Sequence, residues 1–233
     1  MKELVAPSKC FLVKNLIKHE FKESLFKLSK MIHLNKVDYL NEDIWEIPKS
    51  SRVEKILNLA NELYEPALLN HGLRSYSFGK MMMKANNERV DDEVFFVGSL
   101  LHDLGLMRDC THTTFEVAGA KEACSHCKDD FEARELDLIH EMIMYHDAIG
   151  VAESKSLELK YLHYGAGIDV ADLWTHRLHE ENYNEVFERY PGKNHISVMI
   201  ELMKKRMKDN PKMYLSTLIN LGFYEKMKSH RHA

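Results

Sequence analysis

The chain has 233 residues, of which 45% are hydrophobic and 29% charged, and its formal net charge is −4 at pH 7. This length suits one sizeable hydrophobic core with terminal additions, and the composition excludes a disordered chain. The mildly acidic balance argues against a dedicated nucleic-acid-binding protein, which usually carries a basic face.

Three further features bear on location. The sequence has no uncharged apolar run near the ~18 residues that a membrane span needs, and the first residues carry charges where a signal peptide would be apolar. Its four cysteines do not resemble the framework of a secreted disulfide-rich protein. We therefore expect a cytoplasmic protein that binds neither membrane nor nucleic acid.

Apolar residues recur at helical spacing along most of the chain. They predict helices over about residues 8–34, 53–63, 67–84, 91–104, 113–124, 131–146, 156–178 and 194–208, and the pattern resumes from residue 213 to 223. Gly105 is expected to stop the fourth helix, and Thr113 with Glu116 forms the capping-box pattern that opens the fifth. No segment alternates β-branched and polar residues as a strand would. The predicted fold class is all-α.

Polar residues stand in unexpectedly apolar surroundings at three places in this pattern. His71 lies one helical turn before Arg74, His102-Asp103 follows an apolar run, and Asp169 lies in a segment of small and apolar residues. Such groups are costly to bury unpaired, and coordination of a metal ion would satisfy them. Taken alone, each piece is more often a capped or hydrogen-bonded structural group than a metal ligand.

In this order, the residues resemble the signature of the HD-domain superfamily of metal-dependent hydrolases, and within it the cyanamide hydratase-like subgroup. The motifs that carry the resemblance span about residues 44–175; they are residues 69–79, 100–106 and 115–120, and His146 followed by residues 165–170. The resemblance implies an orthogonal helical bundle with one metal ion held by His71, His102, Asp103 and Asp169. It also suggests an N-terminal helical extension at 1–45, an HD domain at 46–185, and C-terminal helices at 186–233 packed on that domain.

The donor set favours a divalent transition metal. Two imidazoles and two carboxylates suit a transition metal better than calcium or magnesium, which prefer oxygen ligands. Zinc is the first expectation, with iron, manganese or cobalt as alternatives. Such an ion activates water by lowering its pKa towards ~7.

Four residues near the motifs are candidates for catalysis. Glu116 could carry protons or hydrogen-bond behind the metal, although capping a helix is a competing role. Thr113 and Thr114 could hold developing charge, and helix capping competes for Thr113. His146 could orient substrate, donate a proton or ligate a second metal, and we favour a single metal with His146 in the substrate pocket.

Three more residues are candidates for substrate binding. Arg74 could be a pocket cation for an anionic substrate, with a structural ion pair as the alternative. Phe115 and Tyr145, with other bulky apolar neighbours of the motifs, are expected to wall a compact pocket for a small-molecule substrate.

The predicted activity is a metal-dependent hydrolase or hydratase that acts on a nitrile-like or amide-like molecule. A phosphohydrolase of nucleotides or other phosphate monoesters is the first alternative, and it would want several convergent cations. The candidates near the motifs are Arg74, Lys80, Lys84 and Arg108. A non-catalytic, metal-containing ligand sensor is the second alternative. The oligomeric state stays open, with a homodimer among the alternatives.

Overall fold

The computed structural model describes residues 9–232 except residues 33, 35, 42, 43 and 212. Within these residues the chain forms eleven α-helices and no β-strand, which confirms the all-α class. The helices are α1 (Lys9–Met31), α2 (Ser51–Leu63), α3 (Pro66–Ala85), α4 (Asp92–Leu101), α5 (Phe115–Cys127), α6 (Ala133–Tyr145), α7 (Leu157–Ala171), α8 (Glu180–Arg189), α9 (His195–Asp209), α10 (Tyr214–Asn220) and α11 (Phe223–Lys228). Short 3-10 turns occupy Leu104–Met107, Ala152–Ser154 and Thr175–Arg177.

Side-chain caps begin several of these helices. Ser50 accepts a hydrogen bond from the Val53 amide, Asp91 caps α4, and Ser156 caps α7. Each cap satisfies an amide that has no partner inside its helix. None of the helices within the described ranges is both long and apolar enough to span a membrane.

The observed boundaries differ from the predicted ones near the motifs. Helix α4 ends at Leu101, so Gly105 does not stop it. Gly105 instead lets α5 approach closely, because a Cβ there would collide with the Phe115 carbonyl oxygen. The helix predicted over 156–178 ends at Ala171, since Asp172 takes a left-handed conformation with φ of 50°.

Helix α8 was not predicted from the sequence. Its residues are mostly polar, and the apolar signal reduces to Tyr183, Val186 and Phe187. These three share one helix face and are buried in the core, so tertiary packing supplies what the periodicity lacks. The first position of the predicted helix 8–34 and its residue 33 lie outside the described residues.

The centre of the fold is the packing of α3 against α7. A Cβ at Gly165 would collide with the Ser75 carbonyl oxygen, so this glycine allows the two helices to come close. The main core surrounds the pair and continues from Ile44 to Met227. The predicted domain boundaries stay a prediction.

Helix α1 packs on this body from outside the main core. Leu12 is fully buried in a smaller cluster with Tyr214 and Leu218, and the buried Glu23 pairs with Arg177. Another face of α1 leaves Ile17 and Phe21 exposed. Helix α1 is therefore held to the C-terminal half of the chain by one apolar contact region and one buried ion pair.

Candidate metal centre

Three predicted ligands converge where α3 meets the end of α4. His71 comes from the first half of α3, while His102 and Asp103 follow the last turn of α4. One ligand atom from each lies within 4.8 Å of the others, and all three side chains are buried. His71 Nε2 lies 3.3 Å from Asp103 Oδ2, and His102 Nε2 lies 3.4 Å from the same oxygen. The cluster could hold a metal ion.

Hydrogen bonds fix which imidazole nitrogen atoms face the centre. His102 Nδ1 donates to the Ser99 carbonyl oxygen at 2.7 Å, and His71 Nδ1 donates to Asp169 Oδ2 at 2.7 Å. Each neutral ring therefore presents a lone pair at Nε2. These two Nε2 atoms lie only 3.0 Å apart. Two facing lone pairs beside a carboxylate require a proton or a cation between them, so the residues fit a metal ion.

The electrostatics of the cluster agree with this geometry. Burial lowers the pKa of His71, but its hydrogen bonds to the carboxylates of Asp103 and Asp169 outweigh this effect and raise the pKa to about 9. Burial lowers the pKa of His102. Burial raises the pKa of Asp103, but the neighbouring imidazoles outweigh it and hold that pKa well below its usual range. A proton on His71 and a metal ion are thus alternative occupants of one position.

Asp169 lies outside the cluster of three, in contrast to the predicted four-ligand set. Its carboxylate binds the Nδ1 edge of His71 and is also held by Arg74, whose Nη2 donates to Oδ2 at 2.9 Å. Burial raises the pKa of Asp169, but the Arg74 charge and the hydrogen bonds from His71 and Arg74 together outweigh this effect and hold that pKa far below its usual range. Because Arg74 is one turn from His71, both reach the same carboxylate. A carboxylate behind a ligating histidine fixes the ring and its tautomer.

Arg74 therefore occupies the structural ion pair that was one of its two predicted roles. Its Nη1 also donates to the Tyr190 and Pro191 carbonyl oxygens at 2.9 and 3.2 Å. The side chain is fully buried and does not line the cavity described below. It is not a pocket cation in this arrangement.

His146 joins the centre from the end of α6. Its Nδ1 donates to the Ile143 carbonyl oxygen at 2.8 Å, which leaves Nε2 3.5 Å from Asp103 Oδ1. His163 on α7 donates in turn to the His146 carbonyl oxygen at 2.6 Å. The imidazoles of His71, His102 and His146 thus all present Nε2 towards the Asp103 carboxylate.

The capping box predicted for Thr113 and Glu116 is absent. Thr114 caps α5 by accepting from the Val117 amide at 3.4 Å, which makes Glu116 the second helical residue instead of the third. Thr113 and Thr114 are adjacent in the sequence, and the predicted cap, Thr113, lies one residue before the observed cap, Thr114. Glu116 is therefore free of the capping role.

Glu116 faces Asp147, a residue that the sequence analysis did not select. The carboxyl oxygens of both residues are buried, and no donor among the described residues meets them in hydrogen-bond geometry. Burial, and then Asp147, raise the pKa of Glu116 well above its usual range; burial, and then Asp103, raise that of Asp147 to about 7. A proton on Glu116 lets the two groups share a hydrogen bond.

A cavity of about 380 Å³ opens over the cluster. His71, His102 and Asp103 form one end, and Phe115, His146 and Asp147 form a wall beside them. Helix α1 covers the cavity with Asn15, Leu16 and His19, among other side chains. The lysines in the lining are Lys18 and Lys22, both exposed on α1.

Several predicted site residues lie away from this cavity. Thr113, Thr114 and Tyr145 are not in its lining. The Tyr145 ring instead contacts the Lys155 ammonium group, which lies 4.3 Å from the ring centroid. Conversely, the lining includes His19, His163 and Trp174, which the sequence analysis did not select. The sequence contains one indication of His163, because this polar residue interrupts an apolar stretch of α7.

A comparison with protein-family models found no match, and no curated protein sequence matches the chain at a significant level.

Proposed function

We propose that the chain is a metal-dependent hydrolase or hydratase of the HD-domain superfamily, acting on a small nitrile-like or amide-like molecule. The observation that carries the proposal is the 3.0 Å approach of two buried imidazole Nε2 atoms beside the Asp103 carboxylate, with both Nδ1 atoms already used as donors.

His71, His102 and Asp103 would hold the ion, and zinc, iron, manganese or cobalt suits two nitrogen atoms and one oxygen. Three protein ligands are the usual number at catalytic zinc sites, whereas structural sites are closed by four. The bound ion supplies Lewis acidity, which polarises a substrate and lowers the pKa of water towards ~7. The cavity beside the cluster gives a small substrate access to this position.

His146 is the residue best placed to move a proton. Its Nδ1 is held by a backbone carbonyl, so Nε2 is the nitrogen that accepts a proton on the cavity side. Glu116 does not line the cavity, but its neighbour Asp147 does, and a protonated Glu116 would supply a proton through Asp147. Thr113 and Thr114 have no part in this proposal, because neither lines the cavity.

The charges around the cavity favour a carbon electrophile over a phosphate ester. Three of the cations considered for phosphate are paired elsewhere, Arg74 with Asp169, Lys80 with Asp92 and Arg108 with Glu122. The wall beside the cluster carries Asp147. A phosphohydrolase would therefore rely on the exposed lysines of α1, and it remains the second candidate. The cytoplasmic location stays part of the proposal.

The test begins with elemental analysis of the purified protein. The metal-loaded protein is then incubated with cyanamide, simple nitriles, amides and nucleoside monophosphates, with Asp103→Ala as the inactive control. We expect turnover of a carbon electrophile that needs the metal. Release of phosphate alone would reverse the order of the two enzyme hypotheses, and tight binding without any reaction would favour the sensor.

A further inference from the structure

One face of helix α1 is apolar and points away from the rest of the protein. Its large apolar side chains are 54–77% exposed, and no other part of the described chain covers Ile17, Phe21, Leu28 and Met31. At about 100° of turn per residue, this face lies roughly opposite the buried Leu12, through which α1 packs on the body. A helix side that faces water normally carries polar residues, so this face indicates a partner.

The residues of this face follow the spacing of a coiled coil. Steps of four and three residues alternate without interruption along the helix, through Cys10, Lys14, Ile17, Phe21, Ser24, Leu28 and Met31. We call these residues the seam, and all of them are exposed. Such alternation forms a narrow line of contact between two helices, whereas a face that packs on a globular core is broader. The spacing therefore indicates a helix as the partner.

Two copies of the seam are complementary in size when they run antiparallel. With Phe21 opposite Ser24 of the second copy, the largest side chain of the seam meets the smallest. The same register places Leu28 opposite Ile17, and the apolar stem of Lys14 along Met31, with its ammonium group free to reach water. Two-fold symmetry repeats each of these contacts, as in any interface between identical patches. The seam thus fits a second copy of itself.

The charges beside the seam are complementary in the same arrangement. Glu20 and Lys27 are both exposed and flank the seam on one side. Antiparallel packing brings equivalent flanks of the two helices together, so Glu20 of each copy lies beside Lys27 of the other. Parallel packing in register would instead bring Lys14 against Lys14 and would pair no carboxylate with a lysine. The charge pattern therefore favours the antiparallel arrangement.

The area of the face also suits a protein partner. The exposed parts of Ile17, Phe21, Leu25, Leu28 and Met31 amount to on the order of 600 Å². This approaches the ~800 Å² that each partner contributes to a standard protein interface. The lysines of α1 would also attract an anionic bilayer, but a bilayer accounts neither for the alternating steps nor for the match of Phe21 with Ser24.

We propose that two copies of this chain associate through the seams of their α1 helices, packed antiparallel about a two-fold axis. Because α1 also covers the cavity, the interface lies on the outer side of that cover. The inference goes beyond the proposed function and does not depend on a bound metal ion.

Sedimentation velocity of the full-length protein, over a wide range of concentration, tests the association. We expect a concentration-dependent species of twice the 27.3 kDa chain mass. Phe21→Glu should raise the dissociation constant at least ~100-fold, because the dimer would bury a carboxylate without a partner. The matched control is Leu157→Glu, which changes an exposed apolar residue outside the seam and should associate as the wild type does.

A charge exchange tests the antiparallel arrangement without altering the apolar residues. Glu20→Lys and Lys27→Glu should each weaken association roughly tenfold, because each creates two pairs of like charge. The double variant, with both substitutions, restores opposite charges and should associate nearly as the wild type does. Circular dichroism of all variants checks that they keep the helical fold.

Three results would overturn the proposal. The first is a wild-type protein that stays monomeric at every concentration, and cosedimentation of that monomer with phosphatidylserine vesicles would assign the face to a membrane surface. The second is a dimer that Phe21→Glu leaves intact, which places the interface elsewhere. The third is a double charge variant that associates no better than the single ones, which excludes the antiparallel pairing.

Discussion

Asp169 binds His71 on the side of the ring that faces away from His102 and Asp103, with 2.7 Å between Oδ2 and Nδ1. Arg74 holds the same carboxylate in place, so the ring cannot turn without breaking its buried hydrogen bond to Asp169. The position of one proposed ligand is thus determined by two residues that do not line the cavity.

Asp169→Asn should weaken metal binding ~10–100-fold without abolishing it, which is the usual effect of losing a partner behind a ligand. The amide can still accept from His71 but no longer neutralises Arg74. Competition with a chelator of known affinity measures the change. A complete loss of metal would indicate direct ligation by Asp169 instead.

One divalent transition-metal ion should copurify with each chain, and His102→Ala and Asp103→Ala should both abolish it. Both variants should also melt at lower temperature than the metal-loaded wild type, because an ion that binds only the folded chain stabilises it. The exposed His112→Ala serves as the control and should keep its metal. Full occupancy in Asp103→Ala would contradict the assignment.

Glu116→Gln should retain fold and metal while turnover falls at least tenfold, consistent with the ~10²–10⁴ typical of acid–base groups. The amide can donate to Asp147 as the protonated acid does, but it cannot transfer the proton. A melting curve and a rate measured on the same sample separate the effects. Lower stability with unchanged turnover would make Glu116 a structural residue.

Thr114→Ala should cost ~0.5–2 kcal/mol of unfolding free energy, because the cap of α5 is lost. The matched Thr113→Ala should stay within ~0.5 kcal/mol, since Thr113 does not cap the helix. Urea denaturation of both variants measures the difference. The opposite order would restore the capping box that the sequence suggested.

Stability should fall in acid because of Glu23, the buried residue that fastens α1 to Arg177 and His176. Burial raises its pKa, but hydrogen bonds from His176 and Arg177 outweigh it and bring the pKa from 4.5 to about 2. The folded state thus binds this proton less readily than the unfolded chain. The stabilisation is complete above pH 4.5 and disappears as pH falls to about 2.

The contribution at neutral pH is at most about 3 kcal/mol, because solvent screens part of the interaction. Urea denaturation at pH 5 and pH 3 should therefore give a steeper loss for the wild type than for Glu23→Gln. The exposed Glu62→Gln is the control and should follow the wild type. Identical acid profiles for all three proteins would contradict the role of Glu23.

The sequence predicted the helical class and most helices because apolar periodicity is a local property. It also placed His71, His102 and Asp103 on adjoining elements, and the structure brings them together. Helix α8 was not predicted, because the burial of its apolar residues depends on partners that are distant in the chain. The same reason applies to Asp169, since sequence alone does not say whether a carboxylate faces an ion or an arginine one turn away.

Asp147 and the α1 side chains in the cavity show another limit. Asp147 stands in the sequence as an ordinary polar residue after His146, and its position beside Glu116 emerges only when its surroundings are known. His19 lies more than fifty positions before His71, yet both line one cavity. Spacing along the chain carries no information about such neighbours.

The cover of the cavity has a consequence for how this protein can diversify. The residues proposed to bind the ion lie on α3 and at the end of α4, whereas the cover comes from α1, a single helix whose charged anchor to the body is Glu23. Substitutions in α1 can reshape this side of the cavity without altering any atom that would touch the ion. One reaction could thus acquire new substrates through changes in one short segment near the start of the chain.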